Sequence, residues 1–346
     1  MHVTLHLGAH RTANMSFHYY LRANRAALQR RGVGVWDRRQ TRGGMFAGID
    51  PRMGSISRQH QFDLARRRIG TALHGAAKAG VRHLIVSDGT LLGPMAHNRG
   101  SSRLYPCAGD WVGRYLAAFD GAVDRLTLTL RSQDTFWTSA MAAAICQGAD
   151  LPTKDALSGL VADTRGWSDV VRDVAGAAGR ARLTVLTHES IANLPERRLF
   201  HMTGGAVHGP AKSARAHLNA APDAAMMRRM IWDRGNAVAA VHMARGDEWS
   251  VFDATQAARL RSQYRSDLDW LGTGAEGLAD LALSPWTPAG AGRDRAAHTR
   301  PDRVAPVLGR GKHISWFGKA GPTPPDVLTG RGTHHGIEEG RLARSR

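Results

Sequence analysis

The residues best suited to bind an anion lie directly after the first apolar segment of the chain. Residues 3–7 alternate apolar and polar side chains, as a β-strand does, and Gly8 and Ala9 then interrupt the alternation. Arg11 and Thr12 follow, and apolar residues recur at helical spacing over residues 17–21. This layout binds phosphate in many proteins, because the first N–H groups of the helix and its dipole both attract an anion. An ordinary strand-to-helix turn of an α/β domain has the same layout, so the layout alone leaves both interpretations open.

The strict nucleotide loop G-x-x-x-x-G-K-[ST] is absent, because Gly8 is followed five residues later by Ala13 and then by Asn14. The stretch instead resembles the 5′-phosphosulfate loop of bacterial sulfotransferases that use 3′-phosphoadenosine 5′-phosphosulfate (PAPS). That loop reads roughly H-[KR]-T-G-T-T-S-[LF]. The matching positions are His10, Arg11, Thr12, Ser16 and Phe17, and the departures are Ala13, Asn14 and Met15 in place of Gly, Thr and Thr. Met15 cannot donate the hydrogen bond that a threonine hydroxyl would give, so the loop is degenerate.

A second resemblance to the same family follows the most regular strand pattern of the chain, residues 125–130. Arg131 comes directly after this strand, and Ser139 lies eight residues later on a helix predicted to begin near Thr135. In these sulfotransferases an arginine and a serine at this spacing hold the 3′-phosphate of PAPS, in the pattern R-[DN]-P-x-x-[RQ]-x-x-S. An arginine fork can bind a phosphate through two hydrogen bonds, and a serine adds a short donor. Ser132 and Gln133 replace the acidic residue and the proline, but the spacing is kept.

The resemblance covers residues 3–271 in element order and implies a P-loop-like α/β fold, PAPS as the co-substrate, and an acceptor with a hydroxyl or an amine. Arg11 stands where the lysine of the family would steady the leaving phosphate. No metal is implied. The implied cofactor-binding residues are Gly8, Ala9, Arg11, Thr12, Ala13, Asn14, Met15, Ser16, Arg131 and Ser139.

Transfer of a sulfuryl group also needs a base on the acceptor, and the sequence offers three candidates. Asp88 follows the buried strand of residues 83–86, and the carboxyl ends of parallel strands carry ligand-binding groups. His10 and His18 are alternatives, because a neutral imidazole accepts a proton near pH 7. We therefore assign Arg11, Asp88 and His10 as the candidate catalytic residues. The arginines of the loop at residues 37–61 are candidates for a substrate anion or for solvated surface.

Strands and helices alternate through residue 191, which predicts a parallel sheet with helices on both faces. Residues 226–244 and 252–271 are predicted to be helical, the second with a capping box. Residues 1–283 are predicted to form the sulfotransferase-like domain. Residues 284–346 are rich in Pro, Gly and Arg with little apolar periodicity, which predicts a disordered basic tail.

The composition of the chain, above all its positive charge, indicates which kinds of partner it can bind. The 346 residues carry a net charge of +18, which attracts anions such as nucleotides, sulfated substrates or acidic lipid. No recognised nucleic-acid module is present, which argues against nucleic acid. The two cysteines, Cys107 and Cys146, form no disulfide framework, and the sequence contains neither a signal-peptide pattern nor a membrane-spanning apolar run, so we expect a cytoplasmic protein.

Three functions fit these observations. The first is an active PAPS-dependent sulfotransferase whose acceptor is a carbohydrate, a lipid or a small molecule. The second is a catalytically impaired relative that binds or assembles, as the changes at residues 13–15 suggest. The third is a basic nucleotide- or nucleic-acid-binding protein, in which the charge matters more than the loop.

Overall fold

The protein is built around a six-stranded sheet in which every neighbouring pair of strands is parallel. The computed structural model describes residues 1–49, 57–218, 220–236 and 249–282, which belong to one compact unit spanning Met1–Ala291. The predicted tail lies outside these residues. The strand order is β2-β3-β1-β4-β5-β6. The strands are β1 (His2–Gly8), β2 (Val33–Trp36), β3 (His83–Ser87), β4 (Arg125–Leu130), β5 (Arg182–Thr187) and β6 (Asp280–Leu281).

Helices connect the strands, so the predicted α/β class with a parallel sheet flanked by helices is confirmed. Within the described ranges, no helix is both long and apolar enough to cross a membrane. A short π-helix (Thr41–Met45) follows α3, and a short 3-10 helix (Ala275–Gly277) precedes β6. The helices are α1 (Asn14–Ala23), α2 (Arg25–Arg30), α3 (Arg38–Gln40), α4 (Ser57–Lys78), α5 (Met95–Ser101), α6 (Ala108–Ala118), α7 (Gln133–Cys146), α8 (Lys154–Ala162), α9 (Trp167–Ala178), α10 (His188–Ile191), α11 (Pro195–Met202), α12 (Ala224–Asp233) and α13 (Ala254–Gly272).

Several boundaries differ from the sequence prediction. The segment of residues 37–61 was expected to be a loop, but residues 38–45 form a helical segment that is irregular at Gly43 and Gly44, and α4 already begins at Ser57. The helix predicted over residues 226–244 is described only as α12, since residues 237–248 lie outside the described ranges. The capping box of α13 is confirmed, because Asp253 and Gln256 each accept a hydrogen bond from the backbone N–H of the other.

The two faces of the sheet carry different cores. Val3, Leu5 and Leu7 of β1 face the larger apolar core, which is closed by helices that include α6 and α9. The intervening residues of β1 face a smaller core under α1, α2 and α11. Helices cover this second face completely, although several of its side chains are polar, and polar side chains are usually exposed to solvent. The buried polar side chains that the strands place on this face include Thr4, His6, Ser87, Thr127, Thr129 and Thr184.

The strand order places a crevice between β1 and β4. The chain leaves β1 toward β2 on one side of the sheet and leaves β4 toward β5 on the other side. In open α/β sheets, ligands bind outside the carboxyl ends of strands at such a reversal. The two sequence motifs follow directly after β1 and β4, so the topology brings both to this one edge.

Candidate anion-binding site

The segment between β1 and α1 forms a tight loop with an unusual backbone. Arg11 (φ 63°) and Ala13 (φ 60°) both adopt the left-handed conformation, which is uncommon for residues with a Cβ atom. Ala13 is the N-cap of α1 and provides no side-chain hydrogen bond. The first backbone bond of the helix runs from Phe17 N–H to the Ala13 carbonyl at 3.0 Å. The N–H groups at the start of α1 therefore form an uncapped positive helix end facing the loop.

The interior of this loop is held by the carboxamide of Asn14. Its Nδ2 donates to the carbonyl oxygens of Gly8 at 3.1 Å and Ala9 at 2.9 Å. The Thr12 hydroxyl also donates to the Ala9 carbonyl, at 2.6 Å. A Cβ atom on Gly8 would lie 2.3 Å from Asn14 Oδ1, so only glycine fits under the side chain. Asn14 thus closes the loop, whereas a threonine hydroxyl has a single donor for the same two carbonyls.

The two predicted motifs meet in three dimensions. Arg11 Nε donates to the hydroxyl of Ser139 at 2.8 Å, across 128 residues of sequence. Arg131 Nη1 donates to the Arg11 carbonyl at 2.7 Å, and Arg131 Nε donates to the Thr135 hydroxyl at 3.1 Å. Ser139 is buried on α7, which begins at Gln133 rather than near Thr135. The structure therefore brings Arg11, Arg131 and Ser139 into one cluster at the ends of β1 and β4.

Both arginines of this cluster have a pKa below the ordinary value for arginine. Burial lowers the pKa of Arg11, and the nearby positive charge of Arg131 lowers it further. Burial also lowers the pKa of Arg131, although Glu189 and Asp134 act in the opposite direction. Two half-buried arginines in one cluster produce a strong positive potential, which an anion bound beside them would relieve.

Two sets of hydrogen bonds hold the backbone at Arg131 and Ser132 in place. Its carbonyl accepts a hydrogen bond from Trp167 Nε1 at 2.7 Å. The next residue, Ser132, donates its N–H to Glu189 Oε1 at 2.9 Å, and the other oxygen of Glu189 accepts from the Tyr264 hydroxyl at 2.8 Å. Burial, followed by the neighbouring Glu189, raises the pKa of Tyr264, which keeps the hydroxyl protonated as a donor. These contacts set the position of the strand end that carries Arg131.

Asp267 on α13 completes this support. Its two carboxylate oxygens accept hydrogen bonds from the N–H groups of Trp167 at 2.9 Å and Ser168 at 3.0 Å. A carboxylate at the start of a helix is favourable, because it caps free N–H groups and opposes the helix dipole. Burial nevertheless raises the pKa of Asp267. The closing helix therefore supports the Arg131 site through the indole of Trp167.

The candidate base Asp88 is engaged in an ion pair. Its carboxylate accepts hydrogen bonds from Arg42 Nη2 at 2.9 Å, from the Thr41 hydroxyl at 2.6 Å and from the Thr90 hydroxyl at 3.0 Å. Burial would raise the pKa of Asp88, but hydrogen bonds from Arg42, its charge, and the two hydroxyls together hold that pKa below its ordinary value. A carboxylate with a lowered pKa and occupied lone pairs is a weak proton acceptor. In this structure Asp88 anchors the helical segment that carries Arg42.

His10, the other catalytic candidate, is fixed by Tyr105. The Tyr105 hydroxyl accepts the backbone N–H of His10 at 2.7 Å and lies 2.9 Å from His10 Nδ1. Because the hydroxyl accepts the N–H, its own proton can go to Nδ1, and we assign the ring proton to Nε2. Burial and the charge of Arg42 lower the pKa of His10 to about 4. His10 is therefore neutral at pH 7, with Nε2–H as a hydrogen-bond donor.

His18 and Ser16 have partners away from the crevice. His18 Nε2 and His6 Nδ1 both lie 2.7 Å from the Ser87 hydroxyl, on the buried polar face of the sheet. Burial lowers the pKa of His18 to about 4. The Ser16 hydroxyl accepts the N–H of Leu218 at 2.9 Å and so holds residues 203–218 over α1. Thr12 and Ala13 lie in the loop before α1, and Met15 lies in the first turn of α1, as the sequence predicts.

Arg198 on α11 is a residue of the site that the sequence analysis did not identify. Its Nη2 donates to the Thr12 carbonyl at 2.8 Å, and its Nη1 lies 3.4 Å from Asn14 Oδ1. Its guanidinium stacks over the ring of Phe17, 5.0 Å from the ring centroid, and the residue is only 1% exposed. Burial lowers the pKa of Arg198 to about 9. No local pattern marks it among the many arginines of the chain.

Comparisons with protein-family models, with curated proteins and with solved structures give no match for this chain. Within the described part of the chain, no three His, Cys, Asp or Glu side chains are grouped so that they could hold a metal ion. The interpretation of the site therefore depends on its own geometry and on the two sequence motifs.

Proposed function

We propose that the protein is a PAPS-dependent sulfotransferase that moves a sulfuryl group to a hydroxyl or amine acceptor. The observation that carries the proposal is the contact between the two motifs, in which Arg11 Nε bonds Ser139 and Arg131 Nη1 bonds the Arg11 carbonyl. A nucleotide with phosphates at both its 5′ and 3′ positions requires two adjacent cationic sites. The loop with Arg11 suits the 5′-phosphosulfate, and Arg131 with Ser139 suits the 3′-phosphate.

The chemistry of sulfuryl transfer fits these residues. In-line displacement leaves negative charge on the oxygen that bridges sulfur and the 5′-phosphate, and a positioned cation stabilises that charge. Arg11 supplies the cation, and the uncapped start of α1 adds the positive end of its dipole. His10 Nε2–H adds a neutral donor at the same loop.

The decisive measurement is binding of adenosine 3′,5′-bisphosphate and PAPS by isothermal titration, combined with transfer of radiolabelled sulfate to a panel of sugar, lipid and phenol acceptors. Arg11→Ala should abolish transfer and leave part of the bisphosphate affinity, because Arg131 and Ser139 remain. Arg265→Ala on α13 is a matched control, since it removes the same charge from an exposed position. A wild-type protein that binds neither nucleotide would refute the proposal.

A second function, nucleotide binding without transfer, is favoured by one observation. Asp88 is held by Arg42 and two hydroxyls, and His10 Nδ1 is occupied by Tyr105, so neither candidate base has a free acceptor in this arrangement. Binding of PAPS without transfer to any acceptor of the panel would support this second function. Transfer at a rate that Arg11→Ala abolishes would exclude it.

A further inference from the structure

Asn14 and Arg198, which together we call the loop brace, join the anion loop to α11. Asn14 Nδ2 bonds the carbonyls of Gly8 and Ala9, and Arg198 bonds the Thr12 carbonyl. We propose that Asn14 and Arg198 are positioning residues that hold the loop in its anion-accepting conformation. Asn14 then contributes to the function of this loop, although the motif that the loop resembles has a threonine at this position. The inference rests on the proposed function for its ligand.

The electrostatics of the loop give the first reason. A carbonyl oxygen carries negative charge, and the oxygens of Gly8 and Ala9 are directed at the interior of the loop, where Asn14 meets them. An unpaired carbonyl that faces a bound phosphate would repel it. Thr12 already donates to the Ala9 carbonyl, so the Asn14 carboxamide gives that oxygen a second hydrogen bond and also donates to the Gly8 carbonyl. A threonine at position 14 would have a single hydroxyl donor and could not bond both oxygens. Asn14 therefore removes a repulsive element from the anion site.

Arg198 gives the second reason, because it determines which way the Asn14 carboxamide points. A guanidinium has only donors, so the Asn14 atom that faces Arg198 must be the oxygen. That orientation directs Nδ2 at the two carbonyls. Arg198 also holds the Thr12 carbonyl, which lies between the two left-handed residues of the loop. Among the residues described, Arg198 forms no ion pair with an acidic side chain, so no carboxylate offsets its positive charge beside the loop.

The test compares two asparagines of α1 and its C-cap that have the same local chemistry. Asn24 is 3% exposed, and its Nδ2 also donates to two carbonyls, those of Tyr20 at 2.9 Å and Lys212 at 2.8 Å. Asn24→Ala thus removes the same pair of Nδ2–H bonds to carbonyl oxygens as Asn14→Ala, but at the opposite end of the helix. Asn14→Ala also removes Oδ1, which faces the Thr12 hydroxyl and Arg198 Nη1 inside the loop. The probes are adenosine 3′,5′-bisphosphate and adenosine 3′-monophosphate, which differ only in the 5′-phosphate.

A positioning role predicts a selective loss. Asn14→Ala should weaken bisphosphate binding about tenfold or more and leave the affinity for the 3′-monophosphate unchanged, as expected when hydrogen bonds that shape a charged site are removed. Asn24→Ala should lower the melting temperature and change neither affinity. A bisphosphate affinity that Asn14→Ala leaves unchanged, or a loss that is equal for both nucleotides, would overturn the proposal.

Two further measurements keep the test decisive. If Asn14→Ala does not fold, Arg198→Lys replaces it. Lysine keeps the charge but lacks the planar fork by which two nitrogens of Arg198 reach Thr12 and Asn14, so the same selective loss is expected. If the wild type binds neither nucleotide, the proposed function fails, and the brace is judged by amide hydrogen exchange over residues 9–13. Exchange that is faster in Asn14→Ala than in Asn24→Ala supports the brace, and equal exchange overturns it.

Discussion

Replacing Arg131 with alanine should remove most of the affinity for adenosine 3′,5′-bisphosphate. A guanidinium has five N–H donors. Arg131 uses one for the Thr135 hydroxyl and one for the Arg11 carbonyl, and 5 − 2 leaves three donors without a partner among the described residues. Two of these can form a fork on a phosphate, and each charge-assisted bond contributes about 1.5–3 kcal/mol. Since Arg131 is half-buried, the lower end applies, and the expected loss is about 3 kcal/mol, or roughly a hundredfold in Kd.

Isothermal titration at two ionic strengths measures this loss and separates it from the general charge of the protein. Arg265→Ala is the control, because any effect of lowering the net charge of +18 by one appears there as well. Arg131→Lys should give an intermediate affinity, since a lysine keeps the charge but not the fork. Ser139→Ala should cost less than Arg131→Ala, because the Ser139 hydroxyl, which accepts from Arg11, offers a phosphate one neutral donor and no charge.

The reasoning is refuted if Arg131→Ala binds the bisphosphate as well as Arg265→Ala does. It is also refuted if Arg131→Ala weakens the bisphosphate and adenosine 5′-monophosphate equally. The 5′-monophosphate has no 3′-phosphate for Arg131 to contact, so its affinity should change little.

Three predictions concern stability. Asp88→Asn should lower the free energy of unfolding by about 1–2 kcal/mol, because it removes the charge that pairs with Arg42, whose partly exposed side chain is screened by solvent. The pKa of Asp88 is lowered, so this stabilisation is full above the ordinary pKa near 4 and is lost as pH falls below it. Urea unfolding at pH 7 and pH 3 should therefore show a smaller loss of stability in acid for the variant. The pKa of His18 is lowered to about 4, so the unfolded state takes up a proton at His18 before the folded state does, and the free energy of unfolding should fall by up to about 3 kcal/mol between about pH 6.5 and pH 4. In thermal melts, His18→Gln should make the loss of stability over this pH range smaller. A loss as large as that of the wild type would contradict the assignment. Tyr264→Phe should cost about 1–2 kcal/mol in urea unfolding by leaving Glu189 with one fewer donor, whereas an unchanged midpoint would show that this bond contributes nothing.

Apolar patterning was sufficient to predict most of the sheet. The strands β3, β4 and β5 each read as short runs of apolar residues, and the structure confirms all three. Residues 33–36 could have been a strand or a loop, because Gly34 interrupts the short run; they form β2 at one edge of the sheet. The helical segment at residues 38–45 had no apolar periodicity to reveal it, since contacts such as the Arg42–Asp88 pair hold it in place.

The candidate site was predictable only where function requires a fixed spacing. Arg131 and Ser139 follow a strand at a distance of eight residues, and that signal led to a real cluster with Arg11. Tyr105 and Arg198 gave no signal, because they reach the loop from distant elements and their neighbours in sequence do not indicate it. Asp88 was predicted as a base from its place at a strand end, but the sequence could not show that Arg42 would occupy its carboxylate.

The place of β1 within the sheet has a consequence for how the protein is made. This strand is made before the other five strands of the sheet, yet it lies between β3 and β4 and can pair with both of them only after residues 83–130 exist. Arg198, which holds the loop after β1, is made 198 − 8 = 190 residues later than Gly8. At about 5–20 residues per second, translation over that interval takes roughly 10–40 s. Until β4 has been made, the apolar residues of β1 lack one of the two strands with which they pair. The loop after β1 gains its hydrogen bond from Arg198 only at the end of the longer interval.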